Sequence, residues 1–123
     1  MVQRRPVSFI ATAQPDRAKV FYQDVLGLKL ADISPFALVF EECGHSLRVQ
    51  IVDAFSPPPY TVHGWQVENI ATEVETLRDM GIAFLQFDAL EQDDLGIWTT
   101  PNGDKIAWFK DPCGNTLSFT EMS

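Results

Sequence analysis

The sequence predicts an α+β fold in which two βαβββ modules pair and curl a mixed sheet around a concave surface, called the cup below. The order of one strand, one helix and three strands occurs twice along the 123 residues. Glycines recur in the same order in both copies: Gly27 and Gly81 end the helices, and Gly44 and Gly114 lie in turns. Residues 55–60, FSPPPY, separate the copies as a stiff linker. Because one such module cannot bury a sheet face alone, the two copies are expected to pair.

The first module covers residues 1–54 and starts with a strand over 7–12. Pro15 then suits the first position of a helix. One face of that helix is apolar at spacings of three and four residues, and it consists of Ala18, Phe21, Tyr22 and Val25. Gly27 ends the helix. Three short strands are predicted after it, over 29–34, 36–42 and 46–51.

The second module, residues 61–123, repeats this order. A strand over 61–67 precedes Asn69, which is a good N-cap for the second helix, and Gly81 ends that helix. The buried face of the helix is predicted at Ile70, Val74 and Leu77. Strands are predicted over 83–87, 97–100, 105–110 and 116–121. Residues 88–104 form an insertion that the first module lacks, and an insertion at the rim of a cup can form a lid, which makes its Trp98 a candidate contact for a ligand.

Alternation along the strands predicts which side chains face the cup. Over 46–51 the apolar residues should pack on a helix, so that Arg48 and Gln50 face the cup. The same rule and the symmetry between the modules give the other positions. The predicted ligand-binding residues are Phe9, Arg48, Gln50, Val62, Gln66, Trp98, Ser118 and Thr120. A mostly apolar concavity with a few polar groups is typical of a small-molecule site; the alternative is a hydrated face, or one covered by a partner chain.

Composition excludes several classes of function. The net charge of −8, from 17 acidic and 9 basic residues, argues against binding to nucleic acid or to an anionic membrane surface. No apolar run approaches the length of a membrane span, and the N-terminus lacks the pattern of a signal peptide. Cys43 and Cys113 each precede a turn glycine outside any CxxC pattern, so they are expected to be free thiols in a reducing cytoplasm. A bridge between these two equivalent turns is the alternative.

Two stretches resemble the signature segments of the vicinal oxygen chelate superfamily, which contains glyoxalase I, bleomycin-resistance proteins and extradiol dioxygenases. They are FYQDVLGLKL at 21–30 and WFKDPCGNTLSF at 108–119. The resemblance covers nearly the whole chain and is more specific for the fold than for the function. It implies paired βαβββ modules, usually assembled as a homodimer and often with modules exchanged between chains.

The resemblance also implies where the enzymes of this family hold a divalent metal, with His, Gln or Glu from four strands. Those four positions carry Val7, Arg48, Val62 and Ser118 here. Valine has no donor atom, arginine is a permanent cation and serine is a weak ligand, so the sequence predicts no metal and no other cofactor. A shift of one residue in the strand over 61–67 would place His63 at a ligand position, but it would also turn Trp65 into the cup.

The favoured interpretation is a cytoplasmic, metal-independent protein that binds a small molecule in the cup of a homodimer. The alternative is an enzyme of the same superfamily, a lyase, isomerase or dioxygenase acting on a small oxygenated substrate, for which no catalytic residue is assigned. Arg48 admits two roles. It could hold a carboxylate, enolate or phenolate through paired N–H donors, or it could form an ion pair with an acidic neighbour such as Glu41, Glu42 or a residue of a partner chain.

Overall fold

The computed structural model describes residues 4–123 and has the predicted α+β fold, with two four-stranded mixed sheets. The first sheet and its helix come from the N-terminal part of the chain. Their elements are β1 (Val7–Thr12), α1 (Pro15–Val20), a π-helical turn (Phe21–Val25), β2 (Lys29–Ile33), β3 (Ala37–Glu42) and β4 (His45–Ile51). The second set consists of β5 (Thr61–Gln66), α2 (Ile70–Asp79), β6 (Trp98–Thr99), β7 (Lys105–Lys110) and β8 (Thr116–Glu121).

Both sheets have the same topology, which is the predicted repeat. The strand order is β1-β4-β3-β2 in the first sheet and β5-β8-β7-β6 in the second. In each sheet the first strand runs parallel to the last, and the other neighbours are antiparallel. A parallel pair needs a crossover connection, and the helix of each module supplies part of it.

The chain divides into two compact units. The first extends to Pro57 and also includes Asp111–Asn115, and the second consists of Pro58–Lys110 and Thr116–Ser123. The division at Pro57 falls inside the proline-rich segment 55–60. The turn Asp111–Asn115 thus belongs to the first unit, although β7 and β8, the strands that flank it, belong to the second.

Each unit packs a helix on one face of its sheet. In the first unit the aromatic ring of Tyr22 lies 5.6 Å from that of Phe40, and both residues are fully buried. In the second unit Val74 and Leu117 are fully buried. The predicted apolar helix positions are confirmed as core: Ala18, Phe21, Tyr22, Ile70, Val74 and Leu77 are all buried, and Val25 is half-buried.

Two of the predicted elements differ from the structure. The helix that starts at Pro15 is α-helical only to Val20, because the amide of Leu26 bonds to the carbonyl of Phe21 and so makes a π-helical turn. The strand predicted over 83–87 is not formed: its pairing with β7 is limited to one bridge, from Phe84 to Phe109, and one bond from the Leu85 amide. The side chain of Gln92 instead accepts from the amide of Phe87 and donates to the carbonyl of Leu85.

Within residues 4–123, none of the helices combines the length and the apolar character that crossing a membrane requires. Both cysteines are free thiols, Cys43 exposed and Cys113 half-buried.

Candidate functional site

The first sheet has an open face on the side opposite α1. Strand pairing shows which side chains share it, because directly paired residues point to the same side of a sheet. Arg48 of β4 lies at its centre, with Phe9 of β1 paired on one side and Val39 of β3 on the other. The predicted positions Phe9, Arg48 and Gln50 are therefore brought together on one face. Phe9 is 57% exposed although it is a large apolar residue.

The guanidinium group of Arg48 carries no ion pair or hydrogen bond to any residue that the structure describes. Of its two predicted acidic neighbours, Glu41 accepts a bond of 3.3 Å from the Ser46 hydroxyl instead. Glu42 pairs with His45 of β4. His45 and Arg48 point to opposite sides of the sheet, so Glu42 lies on the side away from Arg48. Arg48 thus presents a half-buried cation between two apolar side chains, and its N–H donors are available to an anion.

The second sheet has a corresponding open face, on the side opposite α2. Pairing places Gly64 and Ser118 in one row with Trp108, and Gln66 and Thr120 in the next row with Ile106 and Trp98. The predicted residues Gln66, Trp98, Ser118 and Thr120 therefore share one face. Gly64 permits a close approach of β5 to β8, because a Cβ atom at this position would overlap the Ser118 hydroxyl. Ser118 is itself buried.

Val62 occupies a β-bulge at the start of β5. Thr61 pairs with Thr116 and His63 with Leu117, so two steps in β5 oppose one step in β8 and Val62 is the inserted residue. The alternation that assigned Val62 to the cup therefore does not apply to it. His63 lies on the helix side of the sheet, with its ring 4.8 Å from that of Trp65 in an edge-to-face arrangement.

Three aromatic side chains group on the open face of the second sheet. The rings of Trp98 and Trp108 are stacked with centroids 6.2 Å apart, and the ring of Phe87 meets that of Trp108 edge to face at 5.2 Å. We call these three residues the aromatic strip. Trp98 is a predicted ligand contact, whereas Phe87 and Trp108 lie in the segments predicted as strands over 83–87 and 105–110.

Comparison with known protein families agrees with the observed fold. Residues 6–119 match the model of the Glyoxalase/Bleomycin resistance protein/Dioxygenase superfamily. The chain belongs to this superfamily. A comparison with curated proteins found no match.

Solved structures of the superfamily have the same fold. A lactoylglutathione lyase from Agrobacterium tumefaciens is 19% identical, with a TM-score of 0.75 over 98% of this chain and 94% of that one. A glyoxalase/bleomycin resistance protein/dioxygenase from Alicyclobacillus acidocaldarius is 21% identical, with a TM-score of 0.72 over 98% and 92%. A superfamily member from Sphaerobacter thermophilus DSM 20745 is 19% identical, with a TM-score of 0.75 over 98% of both chains.

The metal positions of the superfamily carry side chains that do not suit a metal. Val7 and Arg48 lie on the open face of the first sheet and offer no lone pair to a cation, and Ser118 offers only a hydroxyl. Among residues 4–123 there is no group of three or more His, Cys, Asp or Glu that could hold a metal ion. Val62 has no donor atom either, so none of these four positions supplies a donor that a divalent metal prefers.

The two signature stretches of the superfamily meet in a hydrogen-bond network inside the first unit. The Tyr22 hydroxyl donates to Asp111 Oδ2 at 2.7 Å, and Asn115 Nδ2 donates to the same oxygen at 2.9 Å. Asp111 Oδ1 accepts from the amides of Cys113 and Asn115. Asn115 Nδ2 also donates to the carbonyl of Ala11 at 2.8 Å. Burial, followed by the negative charge of Asp111, raises the pKa of the Tyr22 hydroxyl above its usual range.

Proposed function

We propose that this protein is a metal-independent small-molecule-binding protein of the glyoxalase/bleomycin-resistance type, which acts as a cytoplasmic homodimer and holds its ligand in the cup. One observation carries the proposal: Arg48, at a position where enzymes of the superfamily have a metal ligand, presents an unpaired guanidinium group within the described structure. A fixed cation at that place can neutralise a ligand anion without a metal.

The surroundings of Arg48 support this role. Its neighbours in the sheet, Phe9 and Val39, are apolar, so an anion that reaches the guanidinium leaves water for a partly apolar environment. A charge-assisted pair is stronger there than in open solvent. Planar N–H donors can bind both oxygens of a carboxylate, or one oxygen of a phenolate or enolate.

Retention of metal is the first experiment. The protein is purified without a chelating tag, incubated with zinc, nickel, manganese and ferrous iron, desalted and analysed by mass spectrometry. We expect less than about one tenth of an equivalent of each metal. Near-stoichiometric metal would contradict the proposal and would favour the enzyme alternative, a metal-dependent lyase, isomerase or dioxygenase.

Arg48 variants test the ligand site directly. A thermal-shift screen of small carboxylates, phenolates and organic cations identifies a ligand, and titration calorimetry measures its affinity. For an anionic ligand, Arg48→Ala should weaken binding by about 10- to 100-fold, the equivalent of one charge-assisted hydrogen-bonded pair. Arg48→Lys should recover only part of the affinity, because an ammonium group lacks the planar fork.

Arg17→Ala is the matched control, since Arg17 is an exposed arginine of the same unit that bonds only to Gln14 among the described residues. It should leave the affinity unchanged. If Arg48→Ala lowers the melting temperature but not the affinity, Arg48 has a structural role and the proposal fails. Light scattering on the same samples tests for the homodimer.

A further inference from the structure

The aromatic strip lies on the face of the second sheet that the hydrophobic core does not use. The core of this unit is on the helix side, where Ala107, Phe109, Leu117 and Phe119 are buried. Trp108 alternates with two of these residues along β7 and therefore points away from them. Phe87 is 39% exposed, and the two tryptophans are half-buried. The packing of α2 on the sheet thus does not explain why three aromatic residues group here.

The rings of the strip are partly exposed and stand in different orientations. Trp98 and Trp108 are nearly parallel, with an interplanar angle of 28°, and Phe87 stands almost perpendicular to Trp108 at 88°. A planar ring system gains most from such surfaces, since it can stack on one ring while its edge meets another. Thr120 and Ser118 lie in the neighbouring strand and add hydroxyl groups at the border of the strip.

Hydrogen bonds from a side chain hold the segment that carries Phe87, and Trp98 and Trp108 lie in β6 and β7. Gln92 donates to the carbonyls of Leu85 and Gly96 at 2.9 and 2.8 Å, and it accepts from the amide of Phe87 at 2.7 Å. Trp98 also forms a wall of an open depression of about 500 Å³ next to this segment. Phe87 and Trp108 do not line this depression, whose walls include Glu91 and Asp93, so the inference rests on the rings of the strip and not on the depression.

We infer that the aromatic strip is a recognition surface for a planar aromatic ring system, so that the ligand of this protein is an aromatic compound. The inference rests on the proposed function and names the chemical class of its ligand. The structure thus assigns the two tryptophans to ligand binding and leaves Trp65, on the other face of the sheet, outside the site.

Matched pairs of ligands test the inference. The probes are 2-naphthoate and anthracene-2-carboxylate, each compared with its fully saturated counterpart, which has the same charge and a similar size but no planar π system. We expect the aromatic member of each pair to bind at least about tenfold more tightly, which corresponds to about 1.4 kcal/mol. Trp98→Leu and Trp108→Leu should each reduce this preference, because leucine keeps apolar area but cannot stack. Trp65→Leu is the control and should leave the preference unchanged.

A second measurement on the unaltered chain does not depend on the folding of the variants. The three tryptophans give three indole N–H signals in an amide correlation spectrum, and titration with 2-naphthoate should shift those of Trp98 and Trp108 more than that of Trp65. Equal affinity for both members of each pair, no binding of either, or a shift confined to Trp65 would overturn the inference.

These outcomes are separable from those of the proposed function. Arg48-dependent binding of aromatic and saturated carboxylates with equal affinity would support the proposed function and refute the aromatic strip. Near-stoichiometric metal together with a tryptophan-dependent preference for aromatic probes would refute metal-independent binding and support the strip.

Discussion

At the scale of single residues, Tyr22 explains the sequence Asp-Pro-Cys-Gly-Asn at 111–115. Its hydroxyl is fully buried and needs an acceptor, and Asp111 provides one. The buried carboxylate in turn needs donors, which the amides of Cys113 and Asn115 and the Asn115 side chain supply. Each polar group in the network has a partner, which is the condition under which burial of a charge is tolerated.

The raised pKa of Tyr22 gives a dependence of stability on pH. In the unfolded chain the hydroxyl loses its proton near pH 10, whereas the native hydroxyl keeps it. Above about pH 10 the unfolded state therefore binds fewer protons, and the free energy of unfolding should fall by up to about 1.4 kcal/mol per pH unit. Below that pH the contribution is fully present. Urea unfolding between pH 8 and 11 measures it.

Tyr22→Phe separates this effect from the titration of other groups. The variant should be less stable by about 2 kcal/mol at pH 8, because it loses a hydrogen bond to a charged acceptor. Its stability should then decline less steeply above pH 10 than that of the unaltered chain. Tyr60→Phe is the control. Tyr60 is 65% exposed, so this variant should show the same steep decline in stability as the unaltered chain. Parallel curves for all three proteins would contradict the assignment.

The residues of the candidate site differ in how far the sequence predicts them. Arg48 stands between Leu47 and Val49 in a strand that alternates polar and apolar residues, so its face was predictable. Trp108 lies in β7, where large apolar residues occupy both faces, and alternation therefore gives no signal for it. Val62 was assigned by alternation as well, but the bulge at this position removes the basis for that assignment.

At the scale of elements, the segment after α2 shows how a side chain can replace a strand. Its sequence, Ala83 to Phe87, favours β structure, yet only Phe84 and Leu85 bond to β7. Gln92 pairs with the backbone of Leu85, Phe87 and Gly96 instead. In the turn that follows, Asp93 accepts from the amides of Leu95 and Ile97, both at 2.9 Å. Sequence patterns report local propensity, and no local pattern indicates that a glutamine five residues away will compete for these groups.

Replacement of Gln92 should loosen this segment and with it Phe87, the member of the aromatic strip that the segment carries. Gln92→Leu keeps the size of the side chain but removes three hydrogen bonds, so the Phe87 amide should exchange its hydrogen faster, by at least about tenfold. Hydrogen–deuterium exchange read by NMR measures this. Gln86→Leu, at an exposed glutamine of the same segment, should leave the Phe87 amide protected. Unchanged exchange in Gln92→Leu would show that other contacts hold the segment.

At the scale of the whole molecule, the repeat in the sequence predicts the repeat in the structure. β1, β7 and β8 have the predicted bounds, and the glycines that align in sequence lie at equivalent turns. Membership of the turn Asp111–Asn115 in the first unit was not predictable in this way. Contacts between residues far apart in sequence, such as the bond across 89 residues from Tyr22 to Asp111, join the turn to the first unit, and periodicity carries no information about them.

Because the turn Asp111–Asn115 belongs to the first unit, that unit should depend on it for folding. A chain that ends at Pro57 contains all four strands of the first sheet and its helix, but it should not fold. It would lack the acceptor for the buried Tyr22 hydroxyl and the donor to the Ala11 carbonyl, and a unit of this size is marginal even when it is complete. Circular dichroism in the near ultraviolet and a urea titration of the fragment test this. We expect no cooperative transition, in contrast to the full chain.

Tyr22→Phe in the same fragment then separates two causes. If the missing acceptor alone prevents folding, the variant fragment should fold, since a phenylalanine needs no partner. We expect it to stay unfolded, because the Thr12 hydroxyl and the Ala11 carbonyl also lose their contacts with Cys113 and Asn115. A cooperative transition in the unaltered fragment would show that the first unit is stable without residues 111–115.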